Sequence, residues 1–341
     1  MDLSAAPDAH AVLASSTMAD TVAHSVAHSV AWLGTVAGLA TAAAAVVGGF
    51  LVRGSTAVPA AAWAVAAAVA LSAEMAAVAS GSLVSPPVRG SLRLLAAALA
   101  VCPTMSLLGA KRPQHGVWQF IVATLAIVLI LPAVSATLVR PGTAPDVHVL
   151  ARCFLLLLAI VGWMNFAGTR HAVAATLLAV GQVALSWPWL PFAADAPTLG
   201  TWFPDGFGVL LLAVGAAVAV VQSALAARTA AAPPDSLRDR YNRPFFALRE
   251  TLGAAWTLRI AERFNGVSAS RGWPCRLHFG GFDPGQGTTT DAWQPDAARA
   301  FAALLRRFVT SAWLTRHGWP SAMSDSRSER PILGPFEGGA V

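Results

Sequence analysis

The feature that most constrains this chain is an uncharged apolar run at residues 117–139. At 1.5 Å per helical residue, a run of this length crosses the ~30 Å hydrocarbon core of a bilayer. Because that core offers no water to bond peptide groups, such a run predicts a membrane-spanning helix. The basic corner Lys111-Arg112-Pro113 stands just before it and separates it from another long apolar segment.

Six further segments resemble this run in length and composition. The predicted spans cover residues 28–52, 59–83, 92–110, 117–139, 149–168, 172–192 and 206–226. Only 12% of the residues are charged, against roughly a quarter in soluble domains. We therefore expect an all-α membrane bundle of about seven transmembrane helices, in contact with the lipid bilayer and followed by a small cytoplasmic tail of helices and a short strand.

The composition divides the chain into four parts. Residues 1–27 form an extracytoplasmic N-terminal tail, expected to be irregular until about residue 16; residues 28–227 form the transmembrane domain, 228–321 the cytoplasmic tail and 322–341 a disordered C-terminus. In the tail, apolar spacing predicts a helix at 245–268, which Pro244 starts, a strand at 276–282 and a second helix at 295–316. Gly-Trp-Pro follows each predicted helix and is typical of a helix stop. So short a tail is expected to lack a sizeable core of its own.

The distribution of basic residues predicts the orientation. Residues 1–27 contain aspartates and no lysine or arginine, whereas the residues after 228 are rich in arginine. Cytoplasmic segments carry the excess of basic residues, so the N-terminus should lie outside and the C-terminus inside a bacterial cytoplasmic (inner) membrane. Basic residues at membrane edges also explain the pI of about 10.5, so no nucleic-acid partner is inferred.

Glu74 is the most informative polar residue, because it is the one acidic side chain between Asp20 and Asp146. A carboxylate at membrane depth is costly unless it is neutralised or paired, and it therefore marks a functional hypothesis. Arg152 lies towards the same half of the membrane in the predicted topology. Glu74 and Arg152 are thus candidates for ion coupling. The alternatives are a structural pair between them, or a protonated Glu74 that bonds a neighbouring carbonyl.

Two further features have possible functional uses. His24 and His28 stand four residues apart, a spacing with which a helix can offer two ligands to one metal ion, although the pair also arises from a tandem His-Ser-Val-Ala repeat. Pro103 should kink the third span, because it removes a backbone hydrogen bond. The chain shows no recognisable catalytic motif, so no cofactor is inferred and an enzyme is disfavoured.

The stretches LLGAKRPQHGVWQFIV and WTLRIAERFN…GWPCRL resemble a family of uncharacterised bacterial multi-pass integral membrane proteins. The resemblance covers most of residues 90–280. It implies a membrane protein and carries no activity and no catalytic residue.

Three functions remain open at this point. The first is an accessory or assembly subunit of a larger membrane complex, in contact with other membrane subunits or with copies of itself. The second is a proton- or cation-coupled transporter that uses Glu74, and the third is a membrane enzyme or metal-binding redox subunit that uses His24 and His28. Apolar spans rich in small residues, with no assembled catalytic set, favour the first.

Overall fold

The computed structural model describes residues 9–81, 85–111, 115–190, 206–229, 235–285 and 291–320. The chain forms two compact units, Met1–Ala227 and Arg228–Val341. Within the described ranges, seven helices are long and apolar enough to cross a membrane, and the sheet is a single two-stranded hairpin. The prediction of an all-α membrane bundle is therefore confirmed. The predicted disordered segment 322–341 lies outside the described residues.

The described helices of the first unit follow one another along the chain. They are α1 (Ala9–Leu51), α2 (Val58–Ala79), α3 (Pro86–Ala100), α4 (Cys102–Leu108), α5 (His115–Val134), α6 (Val149–Ala167), α7 (Ala172–Ser186) and α8 (Gly208–Thr229). A π-helical turn, Ser135–Val139, extends α5, and α3 and α4 together make the third span, Pro86–Leu108. That span is the most buried of the seven candidates, so it forms the centre of the bundle.

The first helix begins earlier than the sequence analysis expected. It starts at Ala9 and runs for 43 residues, about 65 Å at the helical rise and thus about twice the hydrocarbon thickness. Residues 9–24, where an irregular tail was expected, contain no glycine or proline, which is why nothing in the sequence ends the helix there.

Small residues allow α1 to pack closely against α2. A Cβ atom added to Gly34 would lie 2.7 Å from the sulfur of Met75, and one added to Gly38 would lie 3.2 Å from the Cα of Ser72. Both glycines therefore face α2, where any side chain would collide with it. Small residues at such spacing let two helix backbones approach in a membrane.

In its described residues, the second unit has four α-helices and a hairpin. They are α9 (Leu237–Leu252), α10 (Ala254–Ser270), β1 (Arg276–His278), β2 (Gly281–Asp283), α11 (Gln294–Leu305) and α12 (Ser311–Arg316). Each of the two predicted helices is thus divided into two. The first predicted helix breaks at Gly253. It starts at Leu237 instead of Pro244, because the Ser236 hydroxyl caps the helix by accepting a hydrogen bond from the Asp239 amide.

The two Gly-Trp-Pro motifs end helices as predicted. Gly272 and Gly318 have φ angles of 66° and 81°, a left-handed conformation that is inexpensive only for glycine. The amide of Trp273 then donates to the carbonyl of Ser268, five residues back, and Trp319 donates to Leu314 in the same way. This is the hydrogen bond of a Schellman cap, which closes the last turn of a helix.

Contrary to expectation, the second unit has an aromatic core of its own. Its largest fully buried side chains are Tyr241, Phe245, Phe264, Phe282, Phe301, Trp313 and Trp319. Tyr241 stacks on Phe282 with ring centroids 4.1 Å apart. Aromatic side chains bury more area per residue than aliphatic ones, so a short chain gains a compact core with few of them.

Candidate functional site

The charged site of the membrane unit joins two consecutive helices. Glu74 lies near the end of α2, and Arg93 lies in the first half of α3. The Nε atom of Arg93 donates to Oε1 of Glu74 at 2.9 Å, and Nη2 lies 2.8 Å from the same oxygen. The Glu74 side chain is fully buried and that of Arg93 is 7% exposed. A carboxylate and a guanidinium therefore compensate each other inside the protein.

The structure gives Glu74 a different partner from Arg152. The Nε atom of Arg152 donates to the carbonyl oxygen of Val147 at 2.5 Å, and its Nη2 lies 3.9 Å from Asp146, which is exposed. Arg152 thus holds the start of its own helix. Arg93 was not predicted as the partner because the third span was expected to begin at residue 92, whereas the helix begins at Pro86 and carries Arg93 two turns further in.

The Glu74–Arg93 pair borders on an apolar core. Leu71, Met75 and Leu94, which lie beside the two charged residues in sequence, all belong to one buried cluster that also draws on later spans. Water is scarce in such surroundings, and charges attract strongly where the dielectric constant is low. Removing either partner would leave the other buried charge poorly compensated, which is far more costly than removing both.

The third span is broken near its middle, in the region of Pro103. Helix α3 ends at Ala100, α4 begins at Cys102, and Val101 between them is in a turn. The side-chain amide of Gln182, in the sixth span, donates to the carbonyl oxygen of Ala100 at 2.8 Å. A neighbouring helix therefore satisfies a backbone acceptor at the break, as a bilayer requires.

A polar network that the sequence analysis did not find surrounds the short helix α4. The indole nitrogen of Trp118 donates to the carbonyl of Met105 at 2.7 Å. The Gln119 amide donates to the hydroxyl of Ser106 at 2.9 Å, and its oxygen accepts from the indole of Trp63, also at 2.9 Å. Residues of three spans are thus joined through one glutamine. Trp118-Gln119, five residues after the basic corner, was the available signal.

The two candidate metal ligands lie on α1. The His28 ring is exposed, and its Nε2 accepts a hydrogen bond of 3.1 Å from the indole of Trp32. The side chain of His24 lies outside the described part of the structure. Among the residues that are described, no group of three or more His, Cys, Asp or Glu side chains could hold a metal ion. The structure therefore adds no third ligand to His28, and the pair stays a prediction.

The membrane unit contains a set of fixed polar contacts between its spans. One is ionic, between Glu74 and Arg93. Two bond backbone carbonyls of the broken third span to side chains of neighbouring spans, and others join side chains through Gln119. Such an arrangement holds helices in register. The contacts described above pair no nucleophile with a general base.

No family model, curated protein or solved structure matches this chain. The resemblance to a family of uncharacterised bacterial membrane proteins therefore stays a prediction.

Proposed function

We propose that this multi-pass membrane protein is an accessory or assembly subunit of a complex in the bacterial inner membrane. The observation that carries the proposal is the burial of Glu74 in a two-nitrogen contact with Arg93. A carboxylate that carries protons or cations has to exchange its partner during each cycle. Glu74 instead lies against a guanidinium that stays charged at any physiological pH, which suits a structural role.

The broken third span supports the same conclusion. In many transporters, interrupted helices leave backbone carbonyls free to coordinate the coupling ion. Here the carbonyl oxygen of Ala100 accepts from Gln182 and that of Met105 accepts from Trp118. Both acceptors are thus engaged by neighbouring spans, so these two carbonyls do not offer an open cation site.

The position of Arg93 also favours an external N-terminus and a cytoplasmic C-terminus. Arg93 stands beside the link between the second and third spans, which the predicted topology places outside, and it lies inside a helix of the membrane unit. The loops assigned to the inside keep Arg53, Lys111, Arg112 and Arg170. Of the bases at the outer side, Arg140 lies in a link and Arg89 lies in the first turn of α3. Since the excess of bases marks the cytoplasmic side, the contrast is stronger than the sequence alone suggested.

The second unit is suited to contact another protein. It has its own aromatic core, so its surface does not have to be covered for the unit to keep its shape. Arginines outnumber acidic residues in residues 235–320. A cytoplasmic module with a basic surface fits an acidic partner better than a basic one.

The proposal is tested by purifying the tagged full-length protein in a mild detergent and identifying by mass spectrometry what migrates with it. We expect a constant set of membrane proteins in stoichiometric amounts. The control is a preparation of an unrelated seven-span protein with the same tag. A lone monomer or homo-oligomer, under detergents that keep other complexes intact, would contradict the proposal.

A proton- or cation-coupled transporter is the second candidate. The observation in its favour is that the buried charged pair involves the third span, which is also the interrupted one. The test is a flux assay in proteoliposomes with Glu74→Gln, which removes the charge and keeps the shape. A transporter should lose coupled flux, whereas a subunit should show no flux in either form.

A further inference from the structure

Glu74 and Arg93 lie at matching depths on two helices that are consecutive in the chain. Glu74 precedes the end of α2 at Ala79 by five residues, and Arg93 follows the start of α3 at Pro86 by seven. At the helical rise these distances are about 8 Å and about 10 Å from the turn between the helices. Both charges therefore sit well inside the two helices, on the same side of the bundle's mid-plane.

Neither helix is well suited to enter lipid alone. The apolar windows of the second and third spans have a mean hydropathy of 1.7 each, below the 1.9–2.5 of the first, fourth, fifth and seventh and above the 1.3 of the sixth. Each of the two also carries one charge at a depth where an unpaired charge is unfavourable. Once the two charges are in contact, the pair is neutral overall, and the burial of Glu74 shows that the packed helices keep its charge away from lipid.

We propose that α2 and α3 are inserted into the membrane together, as a helical hairpin, and that the ion pair between Glu74 and Arg93 makes this hairpin insertable. The link from Ala79 to Pro86 is short, so the two helices emerge one directly after the other and can pair before either is left alone in lipid. The pair thus fixes the topology of the hairpin. This holds whether the finished protein is a subunit or a transporter.

The test measures on which side of the membrane the turn between α2 and α3 lies, in the full-length protein. A Ser80→Cys label is placed at the exposed end of α2, in a background where Cys102, Cys153 and Cys275 are replaced by serine or alanine. Labelling with a membrane-impermeant maleimide is compared between intact cells and inverted vesicles. Four variants are measured, namely Glu74→Leu, Arg93→Leu, the double leucine variant and the charge swap Glu74→Arg with Arg93→Glu.

We expect each single leucine variant to lower the fraction of molecules with one-sided labelling by at least ~10-fold, because one charge is left without its partner. The double leucine variant and the charge swap should both restore it. Arg152→Leu is the matched control, since Arg152 contacts the backbone of Val147, and it should leave the labelling unchanged. Single variants that insert like the parent protein, or a charge swap as defective as the single variants, would overturn the proposal.

Discussion

The side-chain amide of Gln182 donates a 2.8 Å hydrogen bond to the carbonyl oxygen of Ala100, the last residue of α3. This contact joins the sixth span to the third at the point where the third is interrupted. The interruption follows from Pro103, which has no amide hydrogen to continue the helical pattern. The side chain of Gln182 thus satisfies a backbone acceptor at the break.

Replacing Gln182 by leucine should lower the stability of the membrane unit. The Ala100 carbonyl would lose its side-chain donor, and interhelical hydrogen bonds in membranes are worth about 0.6–2 kcal/mol. Thermal unfolding in detergent would measure the change. Thr124→Val is a suitable control, because the Thr124 hydroxyl bonds within its own helix to Phe120 and is exposed. Equal melting temperatures for Gln182→Leu and the parent protein would contradict the role given to this residue.

A side chain at Gly38 should separate α1 from α2. A Cβ atom there would lie 3.2 Å from the Cα of Ser72 and closer still to its hydroxyl oxygen, whereas one at Gly48 would meet nothing within 4 Å. We expect Gly38→Leu to destabilise the bundle by about 1–3 kcal/mol, a common cost of overpacking, and Gly48→Leu to have little effect. Detergent unfolding curves of the two variants give the comparison. Similar losses for both would show that the contact is not the cause.

The spans could be predicted from the sequence because the bilayer imposes a length and an apolar composition on each of them. The partner of Glu74 could not be predicted in this way. Choosing between Arg93 and Arg152 depends on where α3 begins and on which helices touch, and a window of hydropathy fixes neither. An error of six residues, from Pro86 to residue 92, was enough to move Arg93 from the middle of a helix to the edge of the predicted span.

In the second unit, too, features formed by adjacent residues could be predicted from the sequence, and features formed by distant residues could not. Its two Gly-Trp-Pro stops were predictable, because a Schellman cap is formed by residues adjacent in sequence. Its core was not predictable, since Tyr241 stacks on Phe282, some forty residues away in the chain. Apolar spacing predicts which face of a helix is buried. It does not say whether that face meets a membrane, a partner or another part of the same unit.

Replacing Tyr241 by phenylalanine should leave the second unit as stable as before or stabilise it by about 1 kcal/mol. Its hydroxyl is buried and has no hydrogen-bond partner among the described residues, and an unsatisfied buried hydroxyl opposes folding. The ring, by contrast, contacts four other aromatic rings. Tyr241→Ala should therefore cost about 3–5 kcal/mol. Near-ultraviolet circular dichroism during thermal unfolding follows both variants. A loss of stability in the phenylalanine variant would instead indicate a bonded hydroxyl.

The second unit should lose stability at alkaline pH. Burial raises the pKa of the Tyr241 phenol above its ordinary value of 10.0, and burial also raises the pKa of the Cys275 thiol above 9.0, although the Ser268 hydroxyl opposes the latter. The unfolded chain releases these protons near pH 9 to 10 while the folded unit retains them. The stabilisation is therefore complete below about pH 9 and declines as the pH rises further.

This alkaline transition can be observed directly, because Tyr241 is the one tyrosine in the protein. We expect tyrosinate absorbance to stay absent in the folded protein and to appear together with the loss of the near-ultraviolet signal of the buried tryptophans. In Tyr241→Phe, the fall in unfolding free energy above pH 9 should be shallower, since one of the two linked protons is gone. A smooth titration of the tyrosine near pH 10, with the tryptophan signal unchanged, would show that the phenol is accessible and the core is not closed around it.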